Sequence, residues 1–197
     1  HDLDREYDSV GDLSPRAREG GGGGGGGRSR GRGVYKPPVI RTRPEVLFML
    51  DPLACGPNLT LSNGGVTVVN KVNKQWNAVR TTAGWSSGVH AWEVHVDKCV
   101  SKNIFIGIMC VESPLDNYVG SDRGGWGYLA NKAIWHNKGK VRSYGELFKE
   151  GDTISVLLDL ENHGGTLSFA RNGRDLGVAV DGLLTQLQPA STTTSTA

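Results

Sequence analysis

Cysteine is scarce in this chain: Cys55, Cys99 and Cys110 are the only three in 197 residues. Their number is odd and none are in C-x-x-C spacing, so neither a disulfide framework nor a zinc ribbon is indicated. They read as reduced thiols of an intracellular, most simply cytoplasmic, protein. No apolar run is long enough for a transmembrane helix, and the first residues lack a signal-peptide pattern, so no membrane role is expected. The chain opens on His1 rather than Met and reads as a piece of a longer protein. No segment has the period of a long amphipathic helix, which argues against helical bundles and α/β folds.

Catalytic patterns are equally thin. His90, His95, His136 and His163 have no metal-ligand spacing, and on one strand His90 and His95 point to opposite faces. Ser86, Ser87, His90 and Asp97 lie on a strand and its approach, with no nucleophile elbow. Gly124-Gly125-Trp126-Gly127 lacks the strand–loop–helix context of a phosphate loop. Asp159, Glu161 and Asp175 read as turn and edge charges rather than a paired-carboxylate site. No enzyme activity, cofactor or metal is expected.

Short alternating segments are what the chain has. Thr153–Leu160 places Ile154, Val156, Leu158 and Leu160 on one face, and Thr153, Ser155, Leu157 and Asp159 on the other. Thr166–Arg171 follows the turn Asn162-His163-Gly164-Gly165, and Arg174–Val180 follows Asn172-Gly173. Period-2 alternation bounded by Asn/Gly turns predicts an antiparallel meander. Further strands are expected over Leu59–Ser62, Val66–Asn70, Gln75–Thr82, Val89–Val96, Asn103–Met109, Trp126–Leu129, Ala133–His136 and Lys140–Ser143. Ahead of them, the apolar run Val46–Leu50 is closed by Asp51-Pro52. Many short strands with Gly-rich turns predict an all-β, two-sheet antiparallel sandwich.

Residues 1–45 differ in kind. Gly20–Gly27 is an unbroken glycine run, followed by Arg28, Arg30 and Arg32 and then Lys36-Pro37-Pro38. Residues 1–44 hold nine Arg/Lys against six Asp/Glu, so the excess positive charge of a chain with net +2 lies here. The composition is that of a linker. Arg28, Arg30 and Arg32 offer RNA contact as an alternative function, since Arg combines charge with base stacking.

Several blocks resemble a known family. Asp51-Pro52 and Pro57-Asn-Leu-Thr-Leu-Ser62 are similar to the opening of the PRY/SPRY (B30.2) domain. Trp85-Ser-Ser-Gly-Val-His-Ala-Trp-Glu-Val94, Ile106-Gly-Ile108, Trp126-Gly-Tyr128 and the 151–180 meander resemble its later blocks, in order. The resemblance spans residues 46–191 and leaves 192–197 as a Thr/Ser-rich tail. It implies a concanavalin-like bent sandwich that recognises a protein or short peptide through edge loops, within a larger protein such as a ubiquitin ligase. It implies that Trp92 is buried between the sheets and that Gly107 marks close packing. It also implies an apolar last strand after Ser191, where this chain has Thr192–Ala197. Without that strand a sheet edge stays open, and truncation, or a partner that supplies a strand, is the expected reason.

Two loops are the candidate site. The connection 110–123 offers Asp116, Asn117, Tyr118, Asp122 and Arg123, and the resemblance places Tyr118 where some members carry a binding Tyr. The connection 70–85 offers Asn73, Gln75 and Arg80. Long loops on a rigid sandwich are where binding usually resides. Trp76 and Trp135 read as core. A lectin-like carbohydrate site is the remaining alternative.

Overall fold

The computed structural model describes residues 48–187. The linker at 1–45, the arm arginines, the tail at 192–197 and the last strand expected after Ser191 lie outside the described residues. Twelve strands form: β1 (Leu50–Cys55), β2 (Leu59–Ser62), β3 (Thr67–Asn70), β4 (Val79–Thr81), β5 (Val89–His95), β6 (Phe105–Met109), β7 (Gly125–Leu129), β8 (Asn131–His136), β9 (Gly139–Leu147), β10 (Thr153–Asp159), β11 (Thr166–Arg171) and β12 (Arg174–Val180). One short helix, α1 (Leu183–Leu187), follows.

Two four-stranded antiparallel sheets make the sandwich. One runs β12-β11-β10-β5 and the other β6-β7-β8-β9, while β1-β4 and β2-β3 form separate two-stranded pieces. The meander dictates the first sheet. Ile154 and Val156 of β10 are fully buried, Leu158 and Leu160 nearly so, and Leu157 on the opposite face is exposed. Each such side chain contributes about 1.5–3 kcal/mol on burial. Leu167 and Phe169 of β11 join them, and Trp126, Tyr128 and Ile134 face them from the second sheet. Asn172 and Gly173 both take positive φ, 50° and 77°, as a tight hairpin turn requires.

Polar groups tie the layers. The Tyr144 hydroxyl of β9 donates to the Gly177 carbonyl of β12 at 2.6 Å, and Arg142 donates to Val178 and Ala179 carbonyls. Burial pushes the Tyr144 phenol up to about 12. At one end Asp152, 5% exposed, accepts from Arg171 at 3.0 and 3.2 Å and from Asn172 at 2.8 Å. Those bonds hold its carboxyl at about 2.

The structure departs from the sequence reading in four places. Asp51-Pro52 does not close a strand but lies inside β1, whose register with β4 shifts between Leu50 and Cys55. An edge strand with a bulge is where proline costs no ladder bond. Of the segment Gln75–Thr82 only Val79–Thr81 is strand, because Trp76 turns aside to pack on Phe105. Trp92 is half-buried rather than enclosed, and its indole stacks on Trp85 at 5.5 Å. Helix α1 stands where no element was expected.

Candidate partner-binding site

Loop 110–123 lies on the outer face of the second sheet. That face lacks a side chain at two paired positions, Gly107 and Gly127, and Gly127 is in turn opposite Trp135. A Cβ at Gly127 would run into the Val119 carbonyl, one at Gly120 would meet the Trp135 carbonyl, and one at Gly107 the Trp126 carbonyl. The loop backbone therefore seats directly on the strands. Its far end is strapped by Asn137 N–H to the Asp122 carbonyl at 3.0 Å and Lys138 N–H to the Gly120 carbonyl at 3.2 Å. Inside it, the Ser113 hydroxyl donates to the Asp122 carboxylate at 2.9 Å.

An aromatic cluster clamps the loop beside this strap. Phe105, on the face of β6 away from the core, stacks on Tyr118 at 4.7 Å. Trp76 packs edge-on to both, at 5.2 Å from Phe105 and 5.4 Å from Tyr118, and Trp135 closes the group. Burial pushes the Tyr118 phenol up. Through Trp76 the 70–85 connection is pinned to the 110–123 loop. Their backbones also join, Ala78 N–H to the Leu115 carbonyl at 2.8 Å. A Cβ at Gly56 would strike that same carbonyl, so the β1–β2 turn comes in as well.

The result is a cleft of about 340 Å³ lined by Pro57, Asn58, Gln75, Trp76, Asn77, Asp116 and Asn117. Its carboxamides are held in place. Asn58 Nδ2 donates to Gln75 Oε1 at 2.7 Å, and Asn117 Oδ1 accepts from Tyr118 N–H at 2.9 Å. Asp116 is exposed at the rim. Of the eight candidate residues, the structure brings Gln75, Asp116 and Asn117 together here, with the Tyr118 ring packed behind them. Asp122 is engaged with Ser113 at the loop's other end, and Arg123 beside it is exposed. Asn73 is exposed on its own loop. Arg80 points elsewhere, donating to the Ser113 carbonyl at 3.3 Å and lining a second, apolar groove. Nothing in the local sequence marks Asn58 and Asn77 as site residues. Trp76 was readable as a packed aromatic, and it is both that and the cleft wall.

Among the described residues, no group of three or more His, Cys, Asp or Glu is placed to hold a metal ion. No helix among them is long and apolar enough to cross a membrane. His90 stacks on Trp85 at 4.4 Å and its Nε2 bonds the Ser87 carbonyl at 2.7 Å.

The SPRY domain family profile matches residues 89–196. The chain belongs to the SPRY domain family. Among its relatives, F-box/SPRY domain-containing protein 1 of Drosophila persimilis is 33% identical over 159 residues, covering 74% of this chain and 62% of that protein. The ATP-dependent RNA helicase DDX1 of Xenopus laevis is 29% identical over 143 residues, 71% of this chain and 18% of that one. The chain thus spans less than two thirds of these relatives. The SPRY domain of human HERC1 superposes with TM-score 0.55 at 22% identity, over 68% of this chain and 82% of that one. The TRIM65 PSpry domain superposes with TM-score 0.53 at 18% identity, over 69% and 78%. These likenesses establish the SPRY β-sandwich, a protein-interaction fold rather than a typically catalytic one.

Proposed function

We propose that this SPRY domain captures an extended peptide segment of a partner protein in the cleft between the 57–58 turn, the 70–85 connection and the 110–123 loop. One observation carries the reading: three chain segments distant in sequence converge on one cleft whose walls are prepositioned amides. Side-chain amides offer one donor and one acceptor pattern that matches a peptide backbone. Asn58, Gln75, Asn77 and Asn117 supply four, and Asp116 adds an acceptor for a backbone or cationic donor. Trp76 gives a flat apolar wall. Prefixing these groups lowers the ordering cost of binding. Tyr118 acts by holding Trp76 and the loop, with Arg123 at the periphery. The capture serves recruitment within a larger protein; the F-box/SPRY relatives favour a ubiquitin-ligase-associated setting. The intracellular location expected from the free thiols fits it.

Peptide-display selection on the full chain tests the reading. A convergent motif is expected to lose at least tenfold in affinity on Asp116→Lys or Asn117→Ala, and more on Tyr118→Ala, yet to survive deletion of residues 1–44. A motif insensitive to all three substitutions would sink the cleft. RNA affinity that falls steeply with salt and vanishes on deletion of residues 28–43 would instead favour the arginine arm. Calcium-dependent glycan binding would favour the lectin alternative.

A further inference from the structure

The hairpin that straps the 110–123 loop carries a residue its turn does not favour. Pairing of His136 with Gly139 leaves Asn137 and Lys138 as the two turn residues, with φ of 49° and 67°. The β11–β12 hairpin makes the same turn, Arg171 opposite Arg174, with Asn172 and Gly173 at 50° and 77°. A side chain in that left-handed region is crowded against the backbone, and glycine is not. Lys138 therefore stands where glycine would hold the same turn at lower energy. Of the four lysines with positive φ among the described residues, Lys138 is the one whose backbone bonds the 110–123 loop, its N–H meeting the Gly120 carbonyl at 3.2 Å. Local strain retained beside a binding segment marks a side chain kept for function rather than for the turn.

What Lys138 brings is charge, and it is not alone. The same strap ties Asn137 N–H to the Asp122 carbonyl at 3.0 Å, which sets Arg123 beside the hairpin tip. Lys140 follows on β9, opposite Trp135, whose indole packs edge-on to Tyr118. All three cations are exposed, and none is in an ion pair with a described residue. The neighbouring charges are engaged elsewhere. Asp122 accepts the Ser113 hydroxyl at 2.9 Å, and Arg142 is bonded to the Val178 and Ala179 carbonyls. One end of the loop thus bears an unbalanced positive edge, while Asp116 and Asn117 nearer its start wall the cleft. The chain from Asn117 to Arg123 reaches at most about 22 Å, a span that an extended peptide of about seven residues covers. Building on the cleft reading above, we infer that the captured peptide carries Asp or Glu within about seven residues of its cleft-bound segment, and that Arg123, Lys138 and Lys140 receive those carboxylates.

Random peptides long enough to reach from cleft to hairpin, selected by display on the full chain, test this. Peptides that lose affinity on Asn117→Ala are expected to carry Asp or Glu toward one end. Lys138→Gly is expected to leave the melting temperature unchanged or raised, since it relieves the turn. It should nonetheless weaken those peptides about threefold at low salt, and about tenfold when Arg123→Gln and Lys140→Gln are added. Both differences should close at about 0.5 M salt. Lys138→Glu should reverse the preference and favour the same peptide with its acids changed to lysine. Peptides lost on Asn117→Ala but indifferent to all three cations would overturn this inference and leave the cleft standing. Peptides indifferent to Asn117→Ala would overturn both. Single-stranded RNA held more tightly than any selected peptide, and released by the same three substitutions, would give the basic edge to nucleic acid and overturn the acidic-peptide assignment.

Discussion

Asp152 shows how much one side chain holds in this sandwich. Its carboxylate joins Arg171, Asn172 and the Lys149 N–H, and Arg171 in turn meets Glu146 at 3.1 Å. Breaking a buried pair by removing one partner strands the other charge, so Asp152→Ala is expected to lose on the order of 3 kcal/mol in urea unfolding. The pH dependence has a definite sign. The folded carboxyl titrates at about 2, below its ordinary 3.8. Its contribution is therefore full above about pH 4 and is lost as pH falls through 2. The stability gap between the wild type and Asp152→Asn should narrow over that window; a gap constant from pH 6 to pH 2 would refute the ionic role. In sequence, Asp152 was only a residue before a strand. Its partners lie about 20 residues on, across a hairpin whose register local pattern does not supply. The same reason hid Asn58 and Asn77 from the candidate site, while Gln75, Asp116 and Asn117 were legible because long loops announce themselves.

At the scale of elements, β10, β11 and β12 follow the sequence reading almost residue for residue, since alternation and Asn/Gly turns act locally. The reading weakens at β1 and β4, short edge pieces whose strand character comes from a neighbour rather than from pattern. Loop 110–123 is the instructive element. Its length suggests a binding loop, and Gly125 and Gly127 on β7 let its backbone lie flat on the sheet. Gly127 is the test. A methyl there meets the Val119 carbonyl and the edge of the half-buried Phe105 ring. Gly127→Ala should destabilise by about 2 kcal/mol or more through overpacking. It should also lift the loop, raising exchange at residues 115–122 beyond that of strands such as β10. Uniform loss of protection across the sheets would instead mean a purely global effect. The substitution should weaken peptide capture without touching a single cleft residue.

For the described domain taken whole, cohesion is uneven. The two large sheets share one core, with Tyr144 and Arg142 crossing from β9 to β12. The β1-β4 piece is tied to the 110–123 loop at two points: Arg80 donates to the Ser113 carbonyl at 3.3 Å and Ala78 N–H to the Leu115 carbonyl at 2.8 Å. A peptide held in the cleft between the 57–58 turn and the 70–85 and 110–123 segments should therefore stabilise the piece together with the sandwich. A ligand that binds only the folded state adds RT ln(1 + [L]/Kd), about 2.7 kcal/mol at a hundredfold excess over Kd. For a domain of this size that corresponds to a rise in melting temperature of roughly 5–10 °C. Melting scans of the full chain with and without a peptide selected on the cleft read the effect. The midpoint should rise for the wild type and stay unchanged for Asp116→Lys, which removes an acceptor at the rim. A rise that persists in Asp116→Lys would place the bound peptide away from the meeting point of these three segments.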